Sequence, residues 1–532
     1  MKKFLLMLVA FVATMSAFAQ AVQIYGSEFK SKKELMLVAD AKDRGDVNIT
    51  VAGDFSVYVS SKCNTSFKFA GKTVAAPEIA SSSVIVKYDK NGNEQWAVTF
   101  DGDATITGMA AEEDGTLYAI GNMTEKVTVN ATDAPQTFDA GNEAADYQYI
   151  AAFVAKMTSD GKIAAFKMIS SKIDEAIASA TGPDPWGEME GEFPLYSSWD
   201  PIDVTPIQIQ VSKDKVYVSA TYTGDVKEIG WEGSYCDAWG SYLDNVAAGV
   251  FSLNKSDLGG AKNIANIQMT VEEPGVLPMA QYSPKALGFV VDGDVVYVGF
   301  FCQDQLTLTT ADKSSAFSVD YGKQKFVLAT IGSTTSVKEY ESHKGEKDGG
   351  WYKTLMGLSQ FKDNLIIGGE FYGELPFNKK ITSGAYDADE DKYAYWGLPY
   401  VASLKKDDGT LNWSDCVDEG RVVSMLVNGY DLRFITDKSF FMYKASTGEN
   451  TYRIKDVDDN GDADIALSAS GWGGLDDQYF AFAFVDEKEV PVESIVAPAA
   501  KQAGQRVNLA GQPVDDSYKG IVIEDGKMFY AK

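Results

Sequence analysis

The sequence predicts an all-β protein made of repeated hairpins, and three observations lead to this prediction. Residues 84–121 contain two hairpins in series, in which apolar and polar residues alternate. The turns of these hairpins contain Asn91-Gly92 and Asp114-Gly115, and such pairs tolerate the positive φ of a tight turn. Similar strand-turn-strand segments recur along the chain at a spacing of about 50 to 65 residues.

The first residues have the three parts of a secretory signal peptide. Lys2 and Lys3 precede an apolar run over residues 4–14, and the small residues around Ala19 form a cleavage site before Gln20. We therefore expect residues 1–19 to be removed and the chain to be exported to the periplasm, the outer surface or the medium. The apolar run is shorter than a membrane-spanning helix, so we expect no membrane insertion.

The charge of the chain excludes some partners. The formal net charge is −28, from 76 acidic and 48 basic side chains. Such a chain repels phosphate backbones and anionic lipid, so nucleic acid is not an expected partner. His343 is the sole histidine, which removes the raw material for a histidine-based triad or a multi-histidine metal site.

A pair of strands joined by a short turn recurs seven times. The pairs are residues 47–62, 106–121, 206–221, 286–301, 356–371, 422–436 and 466–484. A second hairpin follows five of them, at residues 84–96, 151–166, 247–261, 400–413 and 439–454. A four-stranded sheet with two apolar faces is not stable alone, so such sheets must stack around an axis. The sequence thus predicts a β-propeller of seven four-stranded blades over residues 20–490, with six blades as the alternative.

A strand near the N-terminus is predicted to close this ring. Residues 34–40 have the composition of a short strand and no evident hairpin partner nearby. We expect this strand to pair with the last blade.

Residues 84–121 also resemble a known kind of repeat. The string VIVKYDKNGNEQW, followed by an acidic-glycine turn and LYAIG, is similar to the β-propeller repeats of SBBP type and, more loosely, to quinoprotein-like propellers. The resemblance implies a fold rather than an activity, because propellers support many functions.

The composition changes after Val490. Residues 491–505 are a linker rich in small residues, and residues 506–532 are a short β tail. The pattern of the tail resembles the C-terminal sorting tails of secreted Bacteroidota proteins. The alternative is a three-stranded tail that packs on the last blade.

Residues 456–465 have the pattern of a calcium loop. Oxygen-bearing side chains stand at positions 1, 3, 5 and 9, and a glycine at position 6 allows the sharp turn that a hard cation requires. The segment resembles the calcium loops of integrin-type propeller repeats. This resemblance implies that Asp456, Asp458, Asn460 and Asp464 bind Ca²⁺ through their side chains and Asp462 through its carbonyl. The alternative is a solvated acidic turn.

Long inserts rich in aromatic and acidic residues interrupt the repeats. We assign two of them, residues 230–245 and 385–400, and a third, more polar insert at residues 131–149 to the connection between the third and fourth strands of their blades. The insert at residues 181–201 joins two blades and is expected on the opposite face. Flat rings beside carboxylates are suited to carbohydrate or protein binding. The candidate ligand-binding residues are Trp186, Trp199, Trp231, Trp239, Tyr395 and Trp396. The alternative is that the rings fold back and cover their own loops.

Together these features favour a non-enzymatic, secreted or cell-surface propeller, expected to be a monomer, that binds a glycan or a protein. The alternative is a carboxylate-dependent polysaccharide hydrolase or lyase, which needs no histidine. Asp184, Glu188, Glu190 and Glu192 are close in sequence, but nothing fixes the separation between any two of them. A purely structural envelope protein is a third possibility.

Overall fold

The structure is a computed structural model, and it shows an all-β chain. It describes residues 19–25, 31–38, 47–63, 66–77, 82–140, 149–172, 181–183, 192–194, 202–234, 247–269, 287–302, 305–320, 323–343, 357–387, 392–393, 397–417, 422–428, 430–436, 439–455, 465–473, 478–485, 507–508, 520–524 and 527–531. These residues form strands and turns, and none of them is helical. The described residues therefore include no helix that could cross a membrane. The prediction that the chain belongs to the all-β class is confirmed for the described residues.

The strands are numbered in chain order. The first half of the chain contains β1 (Ala19–Tyr25), β2 (Ser31–Val38), β3 (Asn48–Val51), β4 (Val57–Lys62), β5 (Phe67–Phe69), β6 (Lys72–Val74), β7 (Ser83–Tyr88), β8 (Glu94–Asp101), β9 (Ala104–Ala111), β10 (Leu117–Met123), β11 (Lys126–Asn130), β12 (Pro135–Asp139), β13 (Tyr149–Met157), β14 (Ile163–Ile169), β15 (Thr181–Pro183), β16 (Glu192–Pro194), β17 (Ile202–Val211), β18 (Lys215–Tyr222), β19 (Gly224–Val226), β20 (Trp231–Ser234), β21 (Ala247–Asn254) and β22 (Lys262–Met269). The second half contains β23 (Leu287–Asp292), β24 (Val295–Cys302), β25 (Leu306–Thr309), β26 (Ser314–Phe317), β27 (Lys323–Ile331), β28 (Thr335–His343), β29 (Gly357–Phe361), β30 (Asn364–Phe371), β31 (Glu374–Leu375), β32 (Asn378–Thr382), β33 (Tyr386–Asp387), β34 (Lys392–Tyr393), β35 (Leu398–Lys405), β36 (Leu411–Cys416), β37 (Val422–Asn428), β38 (Asp431–Thr436), β39 (Ser439–Lys444), β40 (Asn450–Lys455), β41 (Ile465–Gly473), β42 (Gln478–Val485), β43 (Val507–Asn508), β44 (Gly520–Glu524) and β45 (Lys527–Ala531).

Antiparallel units of four strands organise the chain. We number them as sheet I (β3-β4-β7-β8), sheet II (β9-β10-β13-β14), sheet III (β17-β18-β21-β22), sheet IV (β23-β24-β27-β28), sheet V (β29-β30-β35-β36), sheet VI (β37-β38-β39-β40) and sheet VII (β41-β42-β1-β2). Each of the seven predicted strand pairs is an antiparallel pair in the structure and forms the first two strands of a sheet. The hairpin β27-β28 of sheet IV was not predicted from the sequence.

The N-terminal strands complete sheet VII, although not in the predicted way. Strand β1 pairs with β42, from Gln20 opposite Val485 to Tyr25 opposite Phe480. The predicted closing strand is β2, which pairs with β1 at the outer edge of the sheet. The prediction that this strand lacks a hairpin partner was wrong, because β1 begins at the expected leader boundary and its alternating residues were not recognised as a strand.

The first strands of the sheets contact one another in a cyclic order. They follow β3, β9, β17, β23, β29, β37 and β41, and β41 in turn contacts β3. Side-chain amides reinforce two of these contacts. Asn48 Nδ2 donates to the Ile106 carbonyl at 2.9 Å, and Gln210 bonds the backbone of Phe289 and Val291 at 2.9 and 3.0 Å. This order is the one that a ring of stacked sheets requires.

The cores lie between consecutive sheets. Tyr58, Val98 and Phe100 of sheet I, for example, pack with Leu117 and Phe153 of sheet II in one buried cluster. Four further clusters likewise combine residues of two consecutive sheets, from sheets II and III to sheets V and VI. Burial of one such side chain stabilises the fold by roughly 1.5 to 3 kcal/mol. Each sheet therefore depends on its neighbours for stability.

Hairpins from one sheet extend the outer edge of the preceding sheet. The hairpin β11-β12, which lies between β10 and β13 of sheet II, pairs with β8 of sheet I. The hairpin β25-β26 of sheet IV pairs in the same way with β22 of sheet III. These hairpins cover edges that would otherwise present unpaired backbone groups.

Among the described residues, turn glycines of one sheet lie against aromatic side chains of the preceding sheet. We call three of these pairs the glycine-ring contacts: Gly161 with Trp96 and Gly448 with Trp413, where the glycine meets the indole ring, and Gly409 with Tyr340, where it meets the hydroxyl. The glycines have φ angles of 84, 64 and 70°. The indole nitrogen of each tryptophan donates to a carbonyl of the same turn, of Ser159 at 3.0 Å and of Ala445 at 3.1 Å.

Aspartates in the tight turns accept hydrogen bonds that stabilise their charged form. The backbone N–H of Thr116 donates to Asp114 at 2.8 Å, and the hydroxyl of Thr410 donates to Asp408 at 2.7 Å. These bonds lower the pKa of both carboxyls below the usual aspartate value. Hydrogen bonds within these turns therefore make the stability of the fold depend on the ionisation of the turn aspartates.

We expect the protein to lose stability in acid because of these turns. A lowered pKa in the folded state contributes stability above the unfolded-state pKa of about 3.9, and this contribution is lost as the pH falls through the folded-state pKa. The melting temperature should therefore drop between pH 5 and pH 3, and it should drop less for Asp408→Asn than for the wild type. Thermal denaturation at both pH values measures this, and equal drops for the two proteins would contradict the assignment.

Candidate functional site

The antiparallel order divides the connections between two faces. Connections from strand one to strand two and from strand three to strand four leave one end of each sheet, which we call the turn face. Connections from strand two to strand three, and from strand four to the next sheet, leave the other end, which we call the insert face. The turn face contains tight turns such as those at Gly92 and Gly115, with φ angles of 75 and 80°.

The connections that contain the four inserts all leave the sheets at the insert face. The first insert nevertheless starts at the turn face, where the backbone N–H of Thr132 donates to the Gly161 carbonyl at 3.1 Å. The three inserts assigned to the third and fourth strands instead join second strands to third strands, namely β10 to β13, β18 to β21 and β30 to β35. The insert at residues 181–201 joins β14 of sheet II to β17 of sheet III, so it leaves from the same face. The predicted separation onto opposite faces was therefore wrong. The strand pairs themselves were recognised correctly. Those three inserts were placed after the third strand of each sheet, whereas they follow the second strand.

Trp231 belongs to the core rather than to an exposed surface. Its side chain is 0% exposed and stacks on Tyr222 with 4.7 Å between ring centroids. Its indole nitrogen donates to Asn263 Oδ1 at 3.0 Å. The ring has no face available to a ligand, so this member of the predicted set is corrected. It follows the alternative, in which a ring folds back under its own insert.

We expect Trp231→Ala to destabilise the protein without a direct effect on binding. Removal of a buried tryptophan costs about 3 to 5 kcal/mol, since it leaves a cavity as well as losing apolar burial. Urea denaturation followed by circular dichroism measures the loss. A cost below about 1 kcal/mol would contradict the buried placement.

The other five predicted ligand-binding residues lie outside the described residues, and their role stays a prediction. Their connections are nevertheless defined by the flanking strands. Trp186 lies between β15 and β16, Trp199 between β16 and β17, Trp239 between β20 and β21, and Tyr395 and Trp396 between β34 and β35. The larger connections that contain them, from β14 to β17, from β18 to β21 and from β30 to β35, begin and end at the insert face.

The predicted calcium loop also lies outside the described residues. Asp456, Asp458, Asn460, Asp462 and Asp464 fall between β40 of sheet VI and β41 of sheet VII. This is a connection from a fourth strand to a first strand, so it too belongs to the insert face. Within the part of the chain that the structure describes, no three His, Cys, Asp or Glu side chains form a group able to hold a metal ion.

Three of the inserts have their ends joined by backbone contacts. Tyr149, where the first insert ends, forms a parallel pair with Ile202, where the insert at residues 181–201 ends. The backbone groups of Lys172 and Asp225 exchange two hydrogen bonds of 2.8 Å. Lys172 begins the connection that contains residues 181–201, and Asp225 lies in the hairpin β19-β20 that begins the third insert. We call these joined residues the insert root.

Buried polar side chains lie at and beside the insert root. The buried set comprises Ser171, Asp203, Thr221, Thr223 and Asp225. The backbone N–H of Thr223 donates to the Asp203 carbonyl at 2.9 Å, and the carboxylate of Asp203 accepts from the Thr205 hydroxyl at 2.9 Å. Sequence reasoning missed this group, because strand alternation does not reveal which connections meet in space.

The two carboxylates in the first strands of the sheets, those of Asp203 and Asp292, do not face each other. Asp203 lies near the start of β17, at the insert face, and Asp292 ends β23 at the turn face. Asp292 is also paired with Lys406 Nζ at 2.7 Å. The hydrolase alternative requires two carboxyls that flank one glycosidic bond. This pair is placed at opposite ends of neighbouring sheets.

Comparisons with known proteins give no family. No family model matches the sequence, and no curated protein is significantly similar to it. Among solved structures, the chain is similar to the quinohemoprotein alcohol dehydrogenase of Comamonas testosteroni, with 11% identity over 87% of this chain and 77% of that chain and a TM-score of 0.38. It is also similar to the Dos1 propeller, with 7% identity over 83% and 93% of the two chains and a TM-score of 0.36. The computationally designed Ika8 protein has 8% identity over 83% and 97% and a TM-score of 0.33. Because all three TM-scores are below 0.5, nothing about the function of this chain is inferred from these structures.

Proposed function

We propose that the protein is an exported seven-bladed β-propeller that binds a glycan or a protein through its insert face. The cyclic contacts of the seven first strands support the ring, and sheet VII, made from both ends of the chain, would close it. The single observation that carries the functional proposal is that the three inserts that contain tryptophan, residues 181–201, 230–245 and 385–400, lie in connections that begin and end at one face.

The two faces differ in what they offer a partner. At the turn face, polar groups bond within the turns, as when Asp89 accepts from the backbone N–H groups of Asn91 and Asn93 at 2.8 Å each. The insert face carries the long connections with Trp239 and Trp396 and their acidic neighbours. Aromatic rings beside hydrogen-bonding groups are typical of recognition sites. Asp184, Glu188 and Glu190, which were considered for the hydrolase alternative, lie outside the described residues, so the aromatic inserts are the feature that favours a binding protein.

Binding by substituted proteins tests the proposal. The purified chain is applied to a glycan array and used in pull-downs from envelope extracts, with Trp239→Ala and Trp396→Ala compared against Lys90→Ala, a turn-face control. We expect at least a tenfold loss of binding for one of the insert variants and no change for the control. Binding that survives both insert substitutions, or that is lost with Lys90→Ala, would contradict the proposal.

We further propose that Ca²⁺ binds the loop from Asp456 to Asp464 and rigidifies the insert face there. An oxygen-rich loop with a central glycine is suited to this cation. Removing Ca²⁺ with a chelator should lower the melting temperature of the wild type, and Asp458→Asn should remove most of this difference. A chelator without effect on stability or tryptophan fluorescence would contradict the metal assignment alone.

A further inference from the structure

The strand that completes sheet VII contains the bond at which the signal peptide is expected to be cleaved. Strand β1 begins at Ala19, and the expected cleavage lies between Ala19 and Gln20. Within sheet VII, β1 lies between β2 and β42. Ala19 is opposite Val38 of β2. Gln20 is opposite Leu37 of β2 and also opposite Val485 of β42, so its backbone is paired on both edges.

A bond in this position is a poor substrate for a peptidase. A protein that binds an extended peptide through its main chain needs a free edge of that peptide, and cleavage of folded proteins is concentrated in exposed loops. A bond within a sheet is cut only in the fraction of molecules in which the strand has opened. Because β1 has no free edge at Gln20, cleavage of the closed ring requires β1 to separate from its neighbours.

The order of the strands along the chain leaves this bond open for a time. The hairpin β1-β2 alone gives little protection, since an isolated two-stranded hairpin is marginal in water. The other neighbour, β42, follows all the strands of sheets I to VI in the chain and is synthesised after them. At a synthesis rate of about 5 to 20 residues per second, β42 follows β1 by roughly 20 to 90 s. During this interval Gln20 cannot pair with Val485.

We propose that closure of the ring protects the bond between Ala19 and Gln20, so that the signal peptide must be removed before β1 pairs with β42. This inference rests on the exported state that is part of the proposed function, and it is independent of the ligand. A signal peptidase hydrolyses the bond with one water molecule. The water oxygen joins the Ala19 carbonyl carbon, the carbon–nitrogen bond breaks, and a proton goes to the Gln20 nitrogen. A chain that closes its ring too early stays unprocessed.

Refolding of the full precursor in the presence of signal peptidase tests the proposal. Residues 1–532 are diluted from urea, purified signal peptidase is added at successive times, and mass spectrometry measures the fraction of chains that begin at Gln20. Circular dichroism follows refolding in parallel. We expect the initial cleavage rate to be at least tenfold lower when the peptidase is added after refolding than when it is added at the start. Equal rates at the two times overturn the inference.

A proline in β42 identifies the pairing that gives the protection. Ala481 is opposite Ile24 of β1, and Ala481→Pro removes an N–H donor from a strand that pairs on both sides. This variant should be cleaved after refolding at a rate within twofold of its starting rate. Ser315→Pro is the matched control, because it lies in β26 at the edge of its sheet, and it should be as protected as the wild type. Full protection of Ala481→Pro contradicts a role for β42.

The possible outcomes separate this inference from the proposed function. Equal cleavage of the wild type before and after refolding contradicts the inference alone and leaves an exported binding protein intact. Absence of cleavage before Gln20 at every time contradicts both the inference and the exported state. The wild-type time course decides between these outcomes even if Ala481→Pro does not fold.

Discussion

Removal of the N-terminal hairpin is expected to be the most damaging change to the fold. A chain that begins at residue 39 lacks β1 and β2 and leaves sheet VII with only β41 and β42. A two-stranded hairpin is marginal in water, and its open edge invites association. We expect a loss of more than about 4 kcal/mol in the free energy of unfolding, beyond the range of ordinary point substitutions, together with soluble aggregates. Urea denaturation and size-exclusion chromatography measure both effects.

The C-terminal hairpin provides a matched control for this deletion. Strands β44 and β45 also form a terminal hairpin, but within the described residues they pair only with each other and with β43. A chain that ends at residue 519 should therefore keep nearly the stability of the full chain. If the two truncations cost the same, sheet VII does not depend on the N-terminal strands.

The second large effect is expected at a glycine-ring contact. A Cβ atom added to Gly448 would lie 2.5 Å from Cδ2 of Trp413, and the φ angle of 70° is itself unfavourable for alanine. The left-handed backbone costs about 1 to 2 kcal/mol, and overpacking a filled contact adds about 1 to 3 kcal/mol. Gly448→Ala should thus destabilise the protein by about 2 to 5 kcal/mol and shift its tryptophan fluorescence. Denaturant titration gives the first value and emission spectra the second.

Gly71→Ala separates the two causes. Gly71 has a similar φ angle of 74°, but a Cβ atom there would meet nothing within 4 Å. This variant should show the backbone cost alone and leave the fluorescence unchanged. Equal losses for Gly448→Ala and Gly71→Ala would show that the contact between sheets V and VI does not limit stability.

The strand pairs could be predicted from the sequence because their information is local. The alternation of residues 106–121 and the turn at Asp114-Gly115 determine a hairpin without reference to the rest of the chain. The structure has this hairpin as β9 and β10, and the turn glycine has the positive φ that the sequence implied. The other six first strand pairs are likewise antiparallel pairs in the structure, including the degenerate pair at residues 466–484.

Contacts between sheets could not be predicted in this way. Nothing in residues 126–139 shows that their hairpin pairs with β8 of the preceding sheet, because strand alternation describes one sheet at a time. The insert root depends likewise on pairing between Tyr149 and Ile202, which are brought together only when two sheets stack. Trp231 lies in a segment whose aromatic and acidic residues suggested a binding site, yet its contacts with Tyr222 and Asn263 hold it in the core.

A cross-link between the two ends of the chain tests the ring most directly. Val22 and Ala483 are opposite each other in the pairing of β1 with β42, although the chain between them contains sheets I to VI. Cysteines placed at both positions, in a background with the native cysteines replaced by alanine, should form an intramolecular disulfide, found by mass spectrometry as a link between the two strand peptides. A pair moved to Val22 and Tyr479 should not form it. Failure of the Val22–Ala483 pair to link within one chain would contradict a ring of sheets closed by the N-terminal hairpin.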